Sequence, residues 1–427
     1  MVSVDLVQLL RVCVTGVLAA QRYIAVDLMK LHLFKAVKPN VYMTELDQHM
    51  RERLLAQLFG LLTVDVKKQL KHKEGDTVND LVTTADIVSQ AVLERFLRLT
   101  FPNEPFTIVG EEDGAVTVSH EREAANCVEK YFNANCTIPL EAELMAHTSA
   151  EKSIVSARTN EELRQRVGVF IDPIDATNCF VDGSWDAPLT LVGITLDGVP
   201  VAGVVNRIFC TCTADYTQEH YVGGRDKFNH VDAAGHVPDI VHRSLSYVWN
   251  DAAAGPFIVH EGRRVTPLLT ETPRTASTPL RVVRSGTTRD VYFERYLQKL
   301  QPVDARMARG AGNKLMLLFN SMIEGHPTAS SPNTSYASLG CDVFIAPPNS
   351  VSKWDTCAPH AFMLALGGEI YTLSGERTRY SLTGRDVERR VGSEDDDIRD
   401  LPNGVVAATR WSKTEVERRM FWKSTAK

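Results

Sequence analysis

The eight cysteines, Cys13, Cys127, Cys136, Cys179, Cys210, Cys212, Cys341 and Cys357, include no C-x-x-C pair. Such a scatter in a long chain argues against a zinc ribbon or a disulfide frame and reads as reduced thiols. Cys210 and Cys212, two residues apart, are expected on one face of a strand. Basic residues are not in excess either: 47 Lys and Arg stand against 53 Asp and Glu, for a net charge of -6. That balance argues against a binder of nucleic-acid polymers or membrane surfaces, so an anionic ligand must be captured locally. No apolar run reaches the length of a membrane span. In the first thirty residues Asp5, Arg11, Arg22 and Asp27 interrupt the leucines and valines at helical intervals, as in an amphipathic helix of a soluble fold. No basic segment precedes them, and a cytoplasmic location is expected.

No stretch is poor enough in apolar residues to be assigned as disordered, with 44% hydrophobic and 23% charged residues. At 427 residues the chain exceeds one common domain. Residues 1–277 are expected to form an α+β domain with antiparallel sheet. Its helices are predicted over 45–71 and after a connector at 76–83, where Thr83 or Thr84 caps a helix with Asp86 in its first turn. A short strand at 106–109, a charged helical surface insertion at about 114–165, and a hairpin turning on Asp197-Gly198 complete it. Residues 278–427 alternate strand and helix, as in a smaller α/β domain. Strands are predicted at 280–283, 341–346 and 405–408, and helices at 292–300, 314–323 and 355–366. The stretches 327–340 and 374–402 read as loops, and the acidic run at 394–397 as solvated.

Acidic residues recur in settings suited to chemistry. Val167 to Ile171 reads as a buried strand, so Asp172 emerges at its carboxyl end, where open sheets place ligands. Pro173 stiffens the turn, and Asp175 follows three residues after Asp172. Their carboxylates, with the Ile174 carbonyl between them, suit a divalent cation, while N–H groups near Ala176 and Thr177 begin a helix and attract an anion. An ordinary capped turn has the same composition, so this segment alone does not decide. Glu111 and Glu112 follow a strand, as ligands or as a polar turn, and Asp355 opens a helix. Together with Asp86, these segments can hold two or three divalent ions.

In that order, G-E-E-D (Gly110 to Asp113), D-P-I-D-A-T (Asp172 to Thr177) and K-W-D-T-C-A-P (Lys353 to Pro359) resemble the inositol monophosphatase superfamily. These are lithium-sensitive, magnesium-dependent phosphomonoesterases, and the likeness runs from about Thr77 to Gly368 with gaps. It implies a layered αβαβα sugar-phosphatase-like fold and a small phosphorylated metabolite as partner. Two branches compete. Gly310-Ala311-Gly312-Asn313-Lys314 and Thr356-Cys357-Ala358-Pro359 are similar to 3′(2′),5′-bisphosphate nucleotidases. D-P-I-D, His360-Ala361 and the overall length are similar to inositol polyphosphate 1-phosphatases. Arg207-Ile208 stands where both branches usually show Gln-Pro.

The resemblance implies roles. Glu111, Glu112, Asp172, the Ile174 carbonyl, Asp175 and Asp355 would hold two or three Mg2+ ions, and Thr177 with Asp86 would position the attacking water. Lys314 is expected at a second phosphate. Asp175, Ala176, Thr177, Ser285, Thr287, Arg289, Gly310, Ala311 and Asp355 are expected to line the substrate. His360 is expected to support packing rather than act as an acid. A catalytically weak sensor of phosphorylated metabolites is the alternative class.

Overall fold

The computed structural model describes residues 1–24, 64–71, 77–132, 138–148, 153–182, 187–208, 244–268, 273–285, 291–323, 340–382, 401 and 404–421. β1 (Val2–Asp5) leads into α1 (Leu6–Arg22), where Asp5 Oδ1 caps the helix by accepting the Val7 N–H at 2.9 Å. β2 (Val64–Lys71) and β3 (Thr77–Thr83) pair antiparallel. This corrects the end of the helix expected over 45–71 and the connector at 76–83; residues 45–63 lie outside the described residues. Val64-Asp65-Val66-Lys67 alternates with period two, and 77–83 is rich in β-branched residues, so strand geometry wins there.

After β3 come α2 (Thr84–Thr100), β4 (Thr107–Gly110), α3 (Val118–Phe132), α4 (Glu141–His147), β5 (Ile154–Ala157), α5 (Asn160–Arg166), β6 (Val167–Asp175) and α6 (Thr177–Asp182). The hairpin of β7 (Leu189–Leu196) and β8 (Val199–Arg207) turns on Asp197 and Gly198, both at positive φ, 51° and 74°. β9 (Leu245–Asp251), β10 (Gly255–His260) and β11 (Arg263–Arg264) complete a seven-stranded sheet ordered β11-β10-β9-β8-β7-β6-β4. It is antiparallel except where β4 meets β6.

The second sheet contains β12 (Leu280–Arg284), β13 (Val303–Met307), β14 (Val343–Ala346), β15 (Glu369–Thr372) and β16 (Val405–Ala408), ordered β13-β12-β14-β16-β15. Its helices are α7 (Val291–Leu300), α8 (Ala311–Asn320), α9 (Lys353–Ala365) and α10 (Lys413–Val416). The edge strands β13 and β15 are too short and weakly patterned to stand out in the sequence.

Alternating side chains build the layers. Val169, Ile171 and Val204 face α1 and α2, in a core with Leu10, Val14, Val88 and Val92. Leu189, Leu191 and Val205 face the other way, onto Leu315, Phe319 and Phe362 of α8 and α9. Val283, Phe344 and Ala407 close that middle layer from the second sheet, while Val282, Val343 and Val406 face Leu297 and Leu300 of α7. The succession is helix, sheet, helix, sheet, helix, an αβαβα stack.

The charged segment 114–165, though largely exposed, also contributes to the first core. Ala124, Cys127, Val128 and Tyr131 recur on one stripe of α3 and are buried in the first core, and β5 pairs with β1. Amphipathic α1 keeps Gln8 exposed but buries Gln21 and Arg22 at its end, with the Arg22 guanidinium 5.5 Å from the Tyr131 ring. Gly193 and Gly203 pair across β7 and β8, where a Cβ would meet Cys357 Sγ at 2.4 Å and the Ala358 carbonyl at 2.6 Å. Their bare faces let α9 lie directly on the sheet. Among the described residues, no helix is long and apolar enough to cross a membrane.

Candidate metal centre and active site

Asp172 and Asp175 are three residues apart, so a regular strand would point them to opposite faces. β6 is not regular there. Its register on β7 runs from Asp172 opposite Leu191 to Asp175 opposite Leu189, so an extra residue bulges out around Pro173 and Ile174. Thr190 fixes the bulge, donating its buried hydroxyl to the Pro173 carbonyl at 2.9 Å. α9 supplies the third carboxylate. Asp355 sits in the first turn, where Oδ2 accepts the Ser352 N–H at 2.5 Å. One oxygen each from Asp172, Asp175 and Asp355 then lie within 4.8 Å of one another.

Burial makes this proximity costly. Asp172 and Asp355 are held well above the usual carboxylate range, first by desolvation and then by like charge, from Glu111, Asp355 and Asp175 on Asp172 and from Asp175 and Glu111 on Asp355. Asp175 is pushed up to about 6 by burial, against the opposing pull of Lys314 and the N–H groups of Ala311 and Asn313. Both carboxylate oxygens of Asp172 are buried without a hydrogen-bond donor. Native structures seldom leave such atoms unmatched, and three hard oxygen donors converging around them fit a divalent cation.

Asp86 and Thr177 meet beside this cluster. Asp86 Oδ2 accepts from the Thr83 N–H at 2.7 Å and the Thr83 hydroxyl at 2.5 Å, closing the capping box of α2. Its Oδ1 is 3.0 Å from the Thr177 hydroxyl, which is also 3.0 Å from the Ile174 carbonyl. The one hydroxyl proton serves either acceptor. Burial raises Asp86 to about 7, with Glu111 adding to the rise and the Thr83 and Thr177 bonds opposing it.

The start of α8 is already occupied. Asp175 Oδ1 accepts the Ala311 N–H at 3.1 Å, and Oδ2 those of Gly312 at 2.9 Å and Asn313 at 3.3 Å. Gly310 and Ala311 therefore meet the site through Asp175. Lys314 is 6% exposed, with Nζ 5.5 Å from the Phe344 ring centroid. Burial lowers its pKa while the charges of Asp175, Cys179 and Asp355 raise it. It is thus coupled electrostatically to Asp175 and Asp355 of the candidate metal site.

Glu111 lies outside the group of three carboxylates, though its charge acts on all of them. Glu112 is buried. Ala176 takes a left-handed φ of 69° at the turn into α6. Ser285 follows β12, half-buried, whereas Thr287 and Arg289 lie outside the described residues, as do Cys210, Cys212, the run 394–397 and nearly all of the loop at 327–340. His360 is buried, bonding Glu369 Oε1 at 2.9 Å and the Tyr380 hydroxyl at 3.2 Å. Tyr380 also donates to Thr356 Oγ1 at 3.1 Å, one residue from Asp355. Its segment was expected as plain loop, and no local pattern marks Tyr380 or Thr190 as partners of the site. Arg207 reaches Asn313 Oδ1 at 3.1 Å, tying β8 to the start of α8.

Residues 45–229 match the inositol monophosphatase family model. The 3′(2′),5′-bisphosphate nucleotidase 1 of Dictyostelium discoideum is 24% identical over 351 residues, covering 79% of this chain and 88% of its own. The human 3′(2′),5′-bisphosphate nucleotidase 1 is 26% identical over 329 residues, covering 76% and 83%. The chain is thus similar to the inositol monophosphatase family over residues 45–229 and to these curated relatives over about three quarters of its length. The inositol polyphosphate 1-phosphatase of Mus musculus is 23% identical over 364 residues, covering 77% of this chain and 80% of its own. A solved superfamily structure, inositol monophosphatase II from Staphylococcus aureus, aligns at 13% identity with a TM-score of 0.43, over 79% of this chain and 81% of that one. A score of that size carries no argument about the site.

Proposed function

We propose that this protein is a cytoplasmic, Mg2+-dependent phosphomonoesterase that removes one phosphate from a small bisphosphorylated metabolite. The observation that carries this reading is the convergence of Asp172, Asp175 and Asp355, with both Asp172 oxygens lacking a donor, beside the Thr177–Asp86 pair. These three carboxylates would hold the cation, with Glu111, Glu112 and the Ile174 carbonyl as further ligands for two or three ions in all. When bound, the metal neutralises the phosphate dianion, supports the leaving oxygen and acidifies water.

The remaining work belongs to the chain's own groups. Thr177, donating its proton to Asp86, keeps its lone pairs for the attacking water and so orients it. Asp86, raised to about 7, is matched to accept that water's proton through the threonine hydroxyl near neutral pH. Lys314 adds positive charge where the phosphate oxygens gather. Ser285, Thr287 and Arg289 would contact the rest of the substrate, with residues 1–277 and 278–427 forming the two domains that meet around it.

Adenosine 3′,5′-bisphosphate, hydrolysed to AMP and phosphate, is the preferred substrate in this reading, because the Gly310 to Lys314 segment resembles the nucleotidases. Inositol 1,4-bisphosphate is the runner-up, favoured by D-P-I-D and His360-Ala361. Phosphate release from each by the purified chain with Mg2+ tests the reading. Release from neither would sink it, and a kcat/KM more than about tenfold higher on the inositol phosphate would move the chain to the other branch. A sensor would bind tightly without turnover; an enzyme loses turnover sharply on Asp175→Asn or Thr177→Ala.

A further inference from the structure

Helix α2 carries two buried polar side chains one turn apart, Asp86 and Gln90, and the chemistry above uses only the first. Gln90 is 0% exposed, yet its amide is fully engaged. Oε1 accepts the Glu112 N–H at 2.8 Å, while Nε2 donates to Asp113 Oδ1 at 3.0 Å and Glu94 Oε1 at 2.9 Å. Asp113 Oδ2 in turn accepts the Gly110 N–H at 3.4 Å, and the Glu111 N–H is held by the Ile171 carbonyl at 3.1 Å. The loop from Gly110 to Asp113 is thereby fastened to α2 on one side and to β6 on the other.

The residue type follows from the partners. One acceptor for an N–H and two donors for two carboxylates are what a side-chain amide offers. A glutamate would add a third negative charge between Glu94 and Asp113, and a lysine has no acceptor. The approach also dictates Gly110: a Cβ there would fall 2.2 Å from Gln90 Nε2. Gly110 is not at positive φ, so the amide's position, rather than backbone conformation, requires the missing side chain.

We infer that Gln90 is a positioning residue for the loop that presents Glu111 and Glu112 to the cation. This rests on the metal-centre reading above and extends it to a residue outside the ligand set. Because Asp86 and Gln90 share one rigid helix, α2 fixes the spacing between the Thr177–Asp86 pair and that loop.

The test is calorimetric titration of Mg2+ into the purified, substrate-free full chain, with Tm measured alongside. Gln90→Met and Gly110→Ala should each weaken Mg2+ binding, by about ten- to a hundredfold as is usual when the partners of metal ligands are removed. Gln90→Glu, which keeps its shape and the acceptor for Glu112 but loses both donors, should do the same and serves if the methionine variant fails to fold. Val92→Ala, a core truncation in the same helix, should lower Tm without changing Mg2+ affinity. Wild-type affinity in the Gln90 and Gly110 variants overturns the inference. So does an equal affinity loss in Val92→Ala at matched Tm. If the unsubstituted protein binds no Mg2+, the metal-centre reading itself falls and takes this role with it, a failure visible before any substitution is made.

Discussion

Asp175 Oδ2 accepts the backbone N–H of Gly312 at 2.9 Å. A side chain at the end of β6, in the seven-stranded sheet, thus satisfies the orphan amides of α8 in the layer beneath it. The same carboxylate belongs to the proposed metal site, so the joint between the layers and the chemistry share one group. A substrate phosphate cannot take those amides without displacing it.

This arrangement gives a pH dependence. Folded Asp175 titrates at about 6 and Asp86 at about 7, both above their unfolded values near 4. A raised carboxyl contributes stability that is complete below its unfolded pKa and is lost as pH rises through the folded one. Metal-free protein should therefore lose this contribution between about pH 4 and about pH 7. Protons compete with the cation for the same oxygens, so the rise in Tm on adding Mg2+ should grow from pH 5 to pH 8. Thermal scans with Mg2+ or chelator at each pH check this; a Tm increment independent of pH would contradict it.

Thr177→Val removes the hydroxyl at nearly constant volume, and Asp86→Asn removes the proton acceptor. Each should lower kcat by about 10²- to 10⁴-fold while KM changes little. Thr177→Ser should retain much of the activity. Steady-state kinetics on one substrate decides, and a defect confined to KM would remove the pair from the attacking side.

Lys314 is buried and feels the charges of Asp175 and Asp355, two carboxylates of the proposed metal site, so it can serve the scissile phosphate as well as a second one. Lys314→Met should therefore impair bisphosphate and monophosphate substrates alike, by roughly ten- to a hundredfold for a lost charge-assisted contact of about 1.5–3 kcal/mol. A loss confined to bisphosphates would instead restore Lys314 to a second-phosphate role. Parallel kcat/KM measurements on the two substrate types separate these outcomes.

Gly203→Ala should disturb the site from a distance. The added methyl meets the Ala358 carbonyl at 2.6 Å, a backbone atom that cannot rotate away, so α9 must shift and carry Asp355 with it. A destabilisation of about 1–3 kcal/mol is expected, with weaker Mg2+ binding. Denaturant unfolding and titration together test it; unchanged Mg2+ affinity would mean that α9 yields elsewhere.

Lithium should inhibit phosphate release at saturating Mg2+, as the three superfamily motifs imply. A dose series reads this directly. Activity unchanged by lithium would place the cation site differently from the one proposed.

Much of the molecule was legible in the sequence because the signal there is local. Asp197-Gly198 defined the hairpin through its left-handed backbone, and Thr83 with Asp86 marked the start of α2 through a capping box. The order of the three acidic motifs pointed to the proposed chemistry. Period-two alternation was weaker evidence: 64–71 and 77–83 formed strands in place of a helix end and a connector. The charges of 114–165 hid the buried stripe of α3, because composition reports an average over faces.

Tertiary structure alone decided where these groups meet. The bulge at Pro173-Ile174 turns Asp172 and Asp175 to one side, and its existence depends on how β6 pairs with a strand that comes later in the chain. Lys314 became buried, and α8 was capped by Asp175, because two sheets close on one layer of helices. Nothing local sets Gln90 apart from other polar helix residues; only its approach to Gly110 does. The sequence by itself determined which chemical groups were available and the local turns and caps that carry them, since those follow from residues within a few positions of one another. Their convergence, burial and mutual electrostatics came only with the packing of distant segments, because distance and desolvation through the folded interior are not properties of spacing along the chain.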